Sequence, residues 1–221
     1  MRFSEDIYAY EWTDMYDNNC NSFYIAGNVH ALIDPGLARH VPDLLESMKI
    51  DGLRWGDIRY IINTHSHPDH FDGSRHFDEQ DVQIALHDEE IEFLNGPGGE
   101  LYSLFGLKRP DVQVNLPLKA GDMILGNEPF QVIHIPGHSP GSIGLYYQKT
   151  KALFCGDVIF DQNVGRTDFP GGSGALLKKS IVALSKLDVE CLFPGHMGII
   201  DGAQKVQNNF SLVIQNIFPY L

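Results

Sequence analysis

Short apolar runs separated by polar turns dominate the first part of the chain. Residues 7–12, 21–25 and 29–33 carry the pattern of strands, and the third run ends at Asp34-Pro35-Gly36, a turn sequence. The period then changes. Val41, Leu44, Leu45 and Met48 recur at helical spacing, with Pro42 tolerated in the first turn and Gly52 beyond the end. Residues 58–62 form another apolar strand, after which the polar stretch 63–70 leads into a short helix. A strand over 82–86, a helix over about 87–94 and a Gly-Pro loop over 95–99 complete this half.

The second half continues in the same style without detectable sequence repetition. Strands are expected at 130–135, 143–147, 152–154 and 191–193, and an amphipathic helix over 175–187. Tyr146 and Tyr147, adjacent on one strand, should point to opposite faces. The terminal stretch carries Val206, Phe210, Val213, Ile214 and Ile217, an apolar stripe that must dock on a core. Alternating strands and helices fit either a doubly wound parallel sheet or a four-layer αβ/βα sandwich, and periodicity alone does not choose. No glycine-rich phosphate loop of the dinucleotide-binding type follows a strand, which weakens the nucleotide-binding version. With 221 residues and 43% hydrophobic composition, one domain spanning 1–221 is expected.

The formal net charge of −13 would repel phosphate backbones, and no Lys/Arg cluster offsets it, so nucleic acid is not an expected partner. The first residues, Met1-Arg2-Phe3-Ser4-Glu5-Asp6, lack the apolar region of a secretory signal, and no later run approaches the roughly 18 apolar residues of a membrane span. Cys20, Cys155 and Cys191 are widely spaced and odd in number, which suits a reducing compartment. A cytoplasmic protein acting on a small molecule, without membrane or nucleic-acid partners, is the expectation; oligomeric state is not legible.

The chemistry is concentrated at strand ends. His65, His67, Asp69 and His70 fall within six residues just past a strand, where a turn can converge imidazoles and a carboxylate, a natural donor set for zinc. Three more candidates stand alone at the ends of separate strands: His138, Asp157 and His196, each preceded by a glycine that permits a tight turn and a close backbone approach. His134 alternates with apolar strand residues and is expected to be core or to support a ligand. His30, His40, His76 and His87 have no ligand spacing, and Cys155 is expected to be a buried structural thiol.

The run Thr64-His65-Ser66-His67-Pro68-Asp69-His70, followed in order by His138, Asp157 and His196, resembles the metal-ligand set of the metallo-β-lactamase superfamily, and the resemblance spans residues 61–198. It implies the αβ/βα sandwich, with two divalent metal ions at one edge between the sheets: zinc first, with iron or manganese as alternatives. It further implies that His65, His67 and His138 hold the first ion, that Asp69, His70 and His196 hold the second, and that Asp157 bridges them. A carboxylate suits that place because it offers two oxygens to two cations some ~3.5–4 Å apart. A hydroxide shared by the ions is then the expected nucleophile, with Asp69 also orienting it.

Residues 165–172, Gly-Arg-Thr-Asp-Phe-Pro-Gly-Gly, resemble the small glyoxalase II-like hydrolases and also the persulfide dioxygenases. Arg166 is a candidate contact for a substrate carboxylate; equally, Arg166 and Asp168 could pin the loop. Classical glyoxalase II carries a lysine near Arg166, tyrosines near Asp168 and after the last metal histidine, and an extra helical region for glutathione. This chain has Asp168 and Met197-Gly198 at those places. The expectation is therefore a dinuclear hydrolase of a thioester of the S-acyl-glutathione kind, without strong glutathione recognition. The alternatives are a persulfide dioxygenase with one iron and a non-catalytic metal-binding protein.

Overall fold

The computed structural model describes residues 1–14, 16–78 and 81–221. Its strands gather into two six-stranded sheets. The first takes β1 (Ile7–Tyr10), β2 (Ser22–Ile25), β3 (Ala31–Ile33), β4 (Tyr60–Ile62), β5 (Gln83–His87) and β6 (Leu116–Leu118), in that spatial order. Its first three strands pair antiparallel and the rest join parallel. The second sheet takes β7 (Gly121–Leu125), β8 (Glu128–His134), β9 (Ile143–Tyr147), β10 (Ala152–Gly156), β13 (Cys191–Pro194) and β14 (Ile200–Asp201), and only β10 and β13 pair parallel. A small hairpin, β11 (Ile159–Phe160) with β12 (Asn163–Val164), stands apart.

Three apolar clusters define the layers. Phe23, Ile25 and Ile33 from the first sheet meet Phe130, Leu145, Phe154 and Phe193 from the second, so the sheets pack face to face. The outer face of the first sheet, with Leu32, Ile61 and Leu86, is covered by α1 (Val41–Ile50), α2 (Pro68–Phe71), α3 (Asp88–Leu94) and α4 (Pro97–Leu104). The outer face of the second, with Leu153, Cys155 and Leu192, is covered by α5 (Gly174–Leu184) and α6 (Ala203–Asn216). Helices on the outer faces of two stacked sheets make the αβ/βα sandwich and exclude the doubly wound alternative. Tyr147 joins the layer between the sheets while Tyr146 packs on the helix side, as strand alternation requires. Val206, Phe210 and Val213 dock α6 on the same side. Among the described residues no helix is long and apolar enough to cross a membrane.

Several segments depart from expectation. The Gly-Pro loop over 95–99 is cut short because α4 begins at Pro97. Proline is at home in a helix's first turn, where its missing N–H has no partner to lose. Gly98 and Gly99 are there for space: a Cβ on Gly98 would lie 2.6 Å from the Phe93 ring, and one on Gly99 2.6 Å from the Leu94 carbonyl. Strands β6, β7, β11, β12 and β14 also went unanticipated. Pro117 interrupts the strand pattern of β6, and its place on a sheet edge is where a strand tolerates proline.

Candidate metal centre

Both sheets deliver their chemistry to one edge. The turn after β4 and the first turn of α2 carry His65, His67, Asp69 and His70. The loop after β8 carries His138, the end of β10 leads into Asp157, and the end of β13 leads into His196. All seven side chains lie together. Ligand-type atoms of His65, His67 and His138 lie within 4.8 Å of one another, as do those of His65, His70 and Asp157, and those of Asp69, His70 and His196. Asp157 is central: Oδ1 lies 3.1 Å from His70 Nε2, and Oδ2 lies 3.5 Å from His138 Nε2 and 3.3 Å from His196 Nε2.

Glycines make this convergence possible. Gly156 adopts φ +49°, and a Cβ there would lie 2.3 Å from Thr64 Oγ1. A Cβ on Gly195 would lie 2.3 Å from Asp157 Oδ1 and 2.6 Å from His70 Cε1. Any side chain at either position would push directly into the cluster.

The far nitrogens of three imidazoles are pinned. His70 Nδ1 donates to Asp34 Oδ2 at 2.9 Å, and His138 Nδ1 donates to the Arg166 carbonyl at 2.7 Å. Thr64 Oγ1 donates to Asp34 Oδ2, so its remaining bond, 3.1 Å from His65 Nδ1, is accepted from that ring. Each of these rings therefore aims Nε2 into the cluster, where, once unprotonated, it offers the lone pair that a metal needs. The Nε2 atoms of His65, His67, His70 and His138, and Oδ1 of Asp157, are buried with no hydrogen-bond partner. Five ligand-type atoms without a hydrogen-bond partner, facing one space, would be costly in an ordinary core. They fit divalent cations.

The electrostatics point the same way. Burial and the facing imidazole of His70 hold His65 well below the ordinary range, and burial with the facing His138 pushes His67 down to about 3. Burial also opposes protonation of His70 and His196. In His70, however, Cys20, Asp157 and Asp34 outweigh it and hold the ring well above its usual value, and in His196 the carboxylates of Asp157 and Asp69 raise it to about 10. Burial would raise Asp157 and Asp69, yet the same histidines keep both carboxyls below their usual range. The carboxylates thus draw positive charge into the second trio, a demand that a divalent ion also meets.

A cavity of about 310 Å³ opens onto the cluster, bordered by Phe160, Phe169 and Arg166 as well as His67, Asp69 and His196. Arg166 stands at its rim, but Nε and Nη2 donate to the two Asp168 oxygens at 2.7 and 2.6 Å, and its guanidinium carbon lies 3.7 Å from the Phe169 ring centre. His134 holds no place in the cluster: it stacks on His87 at 4.4 Å and donates to the Pro140 carbonyl. Cys155 is fully buried, which raises its thiol to about 12 and leaves it inert at neutral pH.

Four supporting residues escaped sequence reading. Asp34, apparent only as part of a turn, orients Thr64 and His70. Asn18 donates to Asp69 Oδ2 at 2.8 Å. Asn21 holds the loop around His196 through the Pro194 and Met197 carbonyls. Glu90 of α3 is fully buried and accepts from Ser66 N and Oγ, Ser139 Oγ and Gly141 N, so it ties the two loops that carry His67 and His138.

A family model described as the metallo-beta-lactamase superfamily matches residues 15–196. The chain is 34% identical over 192 residues to a probable metallo-hydrolase, MJ0888, of Methanocaldococcus jannaschii, covering 84% of this chain and 91% of that protein. It is 31% identical over 173 residues to the hydroxyacylglutathione hydrolase GloC of Haemophilus influenzae, covering 75% and 78% respectively. Among solved structures, the BLEG-1 B3 metallo-beta-lactamase superposes with a TM-score of 0.73 at 31% identity, over 87% of this chain and 94% of that one. With a family match over most of its length and a relative above 30% identity across most of both chains, this protein belongs to the metallo-β-lactamase superfamily.

Proposed function

We propose that the protein is a dinuclear metal-dependent hydrolase that cleaves a thioester. The observation that carries this reading is the set of five buried ligand-type atoms with no hydrogen-bond partner, on four histidines and Asp157. His65, His67 and His138 would hold the first ion; Asp69, His70 and His196 would hold the second; Asp157, the carboxylate that reaches histidines of both trios, would bridge them. Zinc is the metal proposed, since imidazole and carboxylate donors suit it. Bound there, two divalent ions supply a hydroxide nucleophile at neutral pH and a Lewis acid for the carbonyl oxygen.

The chain's own residues do the rest. Asp69, held by Asn18 and facing the cavity, orients the nucleophile as a catalytic residue. Asp34 and the Arg166 carbonyl keep the imidazoles in register. Phe160 and Phe169 exclude water from one side of the cavity. Arg166, its charge engaged by Asp168, offers the substrate a flat face stacked on Phe169. A thioester is favoured over an amide because a thiolate leaves without prior protonation, and the titratable side chains lining the cavity other than Arg166 are all proposed metal ligands, which spares none of them as a dedicated general acid. The likeness to a hydroxyacylglutathione hydrolase supports the same bond.

The test is to strip the protein, reload it with zinc and assay an activated thioester without oxygen. Turnover is expected, because zinc carries no redox chemistry and supports hydrolysis alone. Zinc-loaded protein inert toward every thioester, with iron-loaded protein consuming oxygen on a glutathione persulfide, would replace this reading by a dioxygenase.

A further inference from the structure

A second, smaller cavity of about 90 Å³ adjoins the first. It shares Asn18, Pro68, Asp69 and Phe105 with it, so the two meet at the candidate catalytic carboxylate. The rest of its lining is Leu37, Leu107 and the Asp17–Arg39 ion pair, whose side chains are exposed. Its apolar lining is a proline, a phenylalanine and two leucines, beside the polar Asn18, Asp69 and the Asp17–Arg39 pair. Phe105 is about half exposed, and its ring meets Phe169 edge-on at 5.9 Å, so one aromatic wall runs from the main cavity into the side one.

Charge narrows the occupant further. Two cationic side chains other than histidines line the two cavities, Arg166 and Arg39. Arg166 is engaged by both oxygens of Asp168, and Arg39 is paired with Asp17 and also meets His40. A substrate bearing several carboxylates or phosphates would therefore find no unengaged guanidinium in either cavity, on a protein whose net charge is already −13.

We infer that the side cavity receives the acyl group of the substrate and that this group is a short, uncharged aliphatic chain, with the reacting carbonyl at the Asp69 junction. The inference rests on the hydrolase reading of the same site and names its substrate class: a thioester of a small fatty acid, with an acyl chain free of carboxylate.

The zinc-loaded protein is to be assayed with acetyl, butyryl, hexanoyl and octanoyl thioesters of one small neutral thiol, with the succinyl thioester as the anionic arm. The expected result is kcat/KM rising about fourfold per methylene, the worth of burying one, until the cavity is full, with succinyl well below butyryl. Leu107→Trp should fill the cavity and lower the hexanoyl-to-acetyl ratio about tenfold. Phe105→Ala, at a half-exposed position, should flatten the chain-length slope without a core to disrupt. A flat series in the native protein, or a preference for succinyl, overturns the inference while leaving the hydrolase reading standing. If no thioester is cleaved at all, the hydrolase reading fails, and a methyl-NMR titration with hexanoate decides the cavity alone. Shifts at Leu37 and Leu107 methyls support it; silence there overturns it.

Discussion

Removing the Glu90 carboxylate should loosen the first metal trio from behind. Glu90 lies on α3, away from the cluster, yet one oxygen accepts from Ser66 N at 2.9 Å and Ser66 Oγ at 2.7 Å, and the other from Ser139 Oγ at 2.9 Å and Gly141 N at 2.7 Å. Ser66 sits between His65 and His67, and Ser139 follows His138. In Glu90→Gln the side chain keeps its shape but one oxygen becomes an amide NH₂. The serine hydroxyls can rotate; a backbone N–H cannot. One backbone donor, Ser66 N or Gly141 N, is thus left facing another donor, a loss of about 2–3 kcal/mol. Glu90→Ala orphans both donors and opens a cavity, for about 4 kcal/mol or more. Urea unfolding of metal-free protein reads these values, and cobalt titration reads the metal trio, whose affinity should fall in Glu90→Gln. A Glu90→Gln protein within 0.5 kcal/mol of the native one, binding cobalt equally well, would refute the reasoning.

Asp157→Ala removes the carboxylate shared by the two trios, so metal content by mass spectrometry and activity should fall together, and full activity would sink the bridging role. Gly195→Ala drives a methyl against Asp157 Oδ1 and His70 and should cost about 1–3 kcal/mol as well as metal, read by thermal unfolding with and without zinc; native behaviour would mean the approach is not close. His87 is held below its ordinary value by burial, then by His134, so below pH 6.5 the unfolded chain takes up a proton that the folded one refuses, and stability is lost as pH falls. In His87→Asn, which can keep the helix cap that His87 makes to Glu89 N, that loss should shrink; parallel stability curves from pH 7.5 to 5.5 would contradict it.

What the sequence disclosed followed from local rules. The dense run from His65 to His70 and three glycine-preceded residues at strand ends announced the cluster, and strand periodicity located β9 over Ile143–Tyr147. The supporting residues were hidden because their partners are distant in sequence: Asp34 reaches Thr64 and His70, Asn21 reaches Pro194, and Glu90 reaches both Ser66 and Ser139. Each looked like an ordinary turn, strand-end or helix residue until the two sheets were stacked. Arg166 illustrates the opposite limit. The sequence left two readings open, a carboxylate contact or a loop pin with Asp168, and only the folded geometry, in which Asp168 takes both arms of the guanidinium, favours the second.

Anomalous diffraction at the zinc edge, from crystals of metal-replete protein, tests the central claim most directly. The account predicts two peaks per chain about 3.5–4 Å apart, one among His65, His67 and His138 and one among Asp69, His70 and His196, with Asp157 touching both. A single peak held by three of these side chains, with the other candidates turned away, would contradict it.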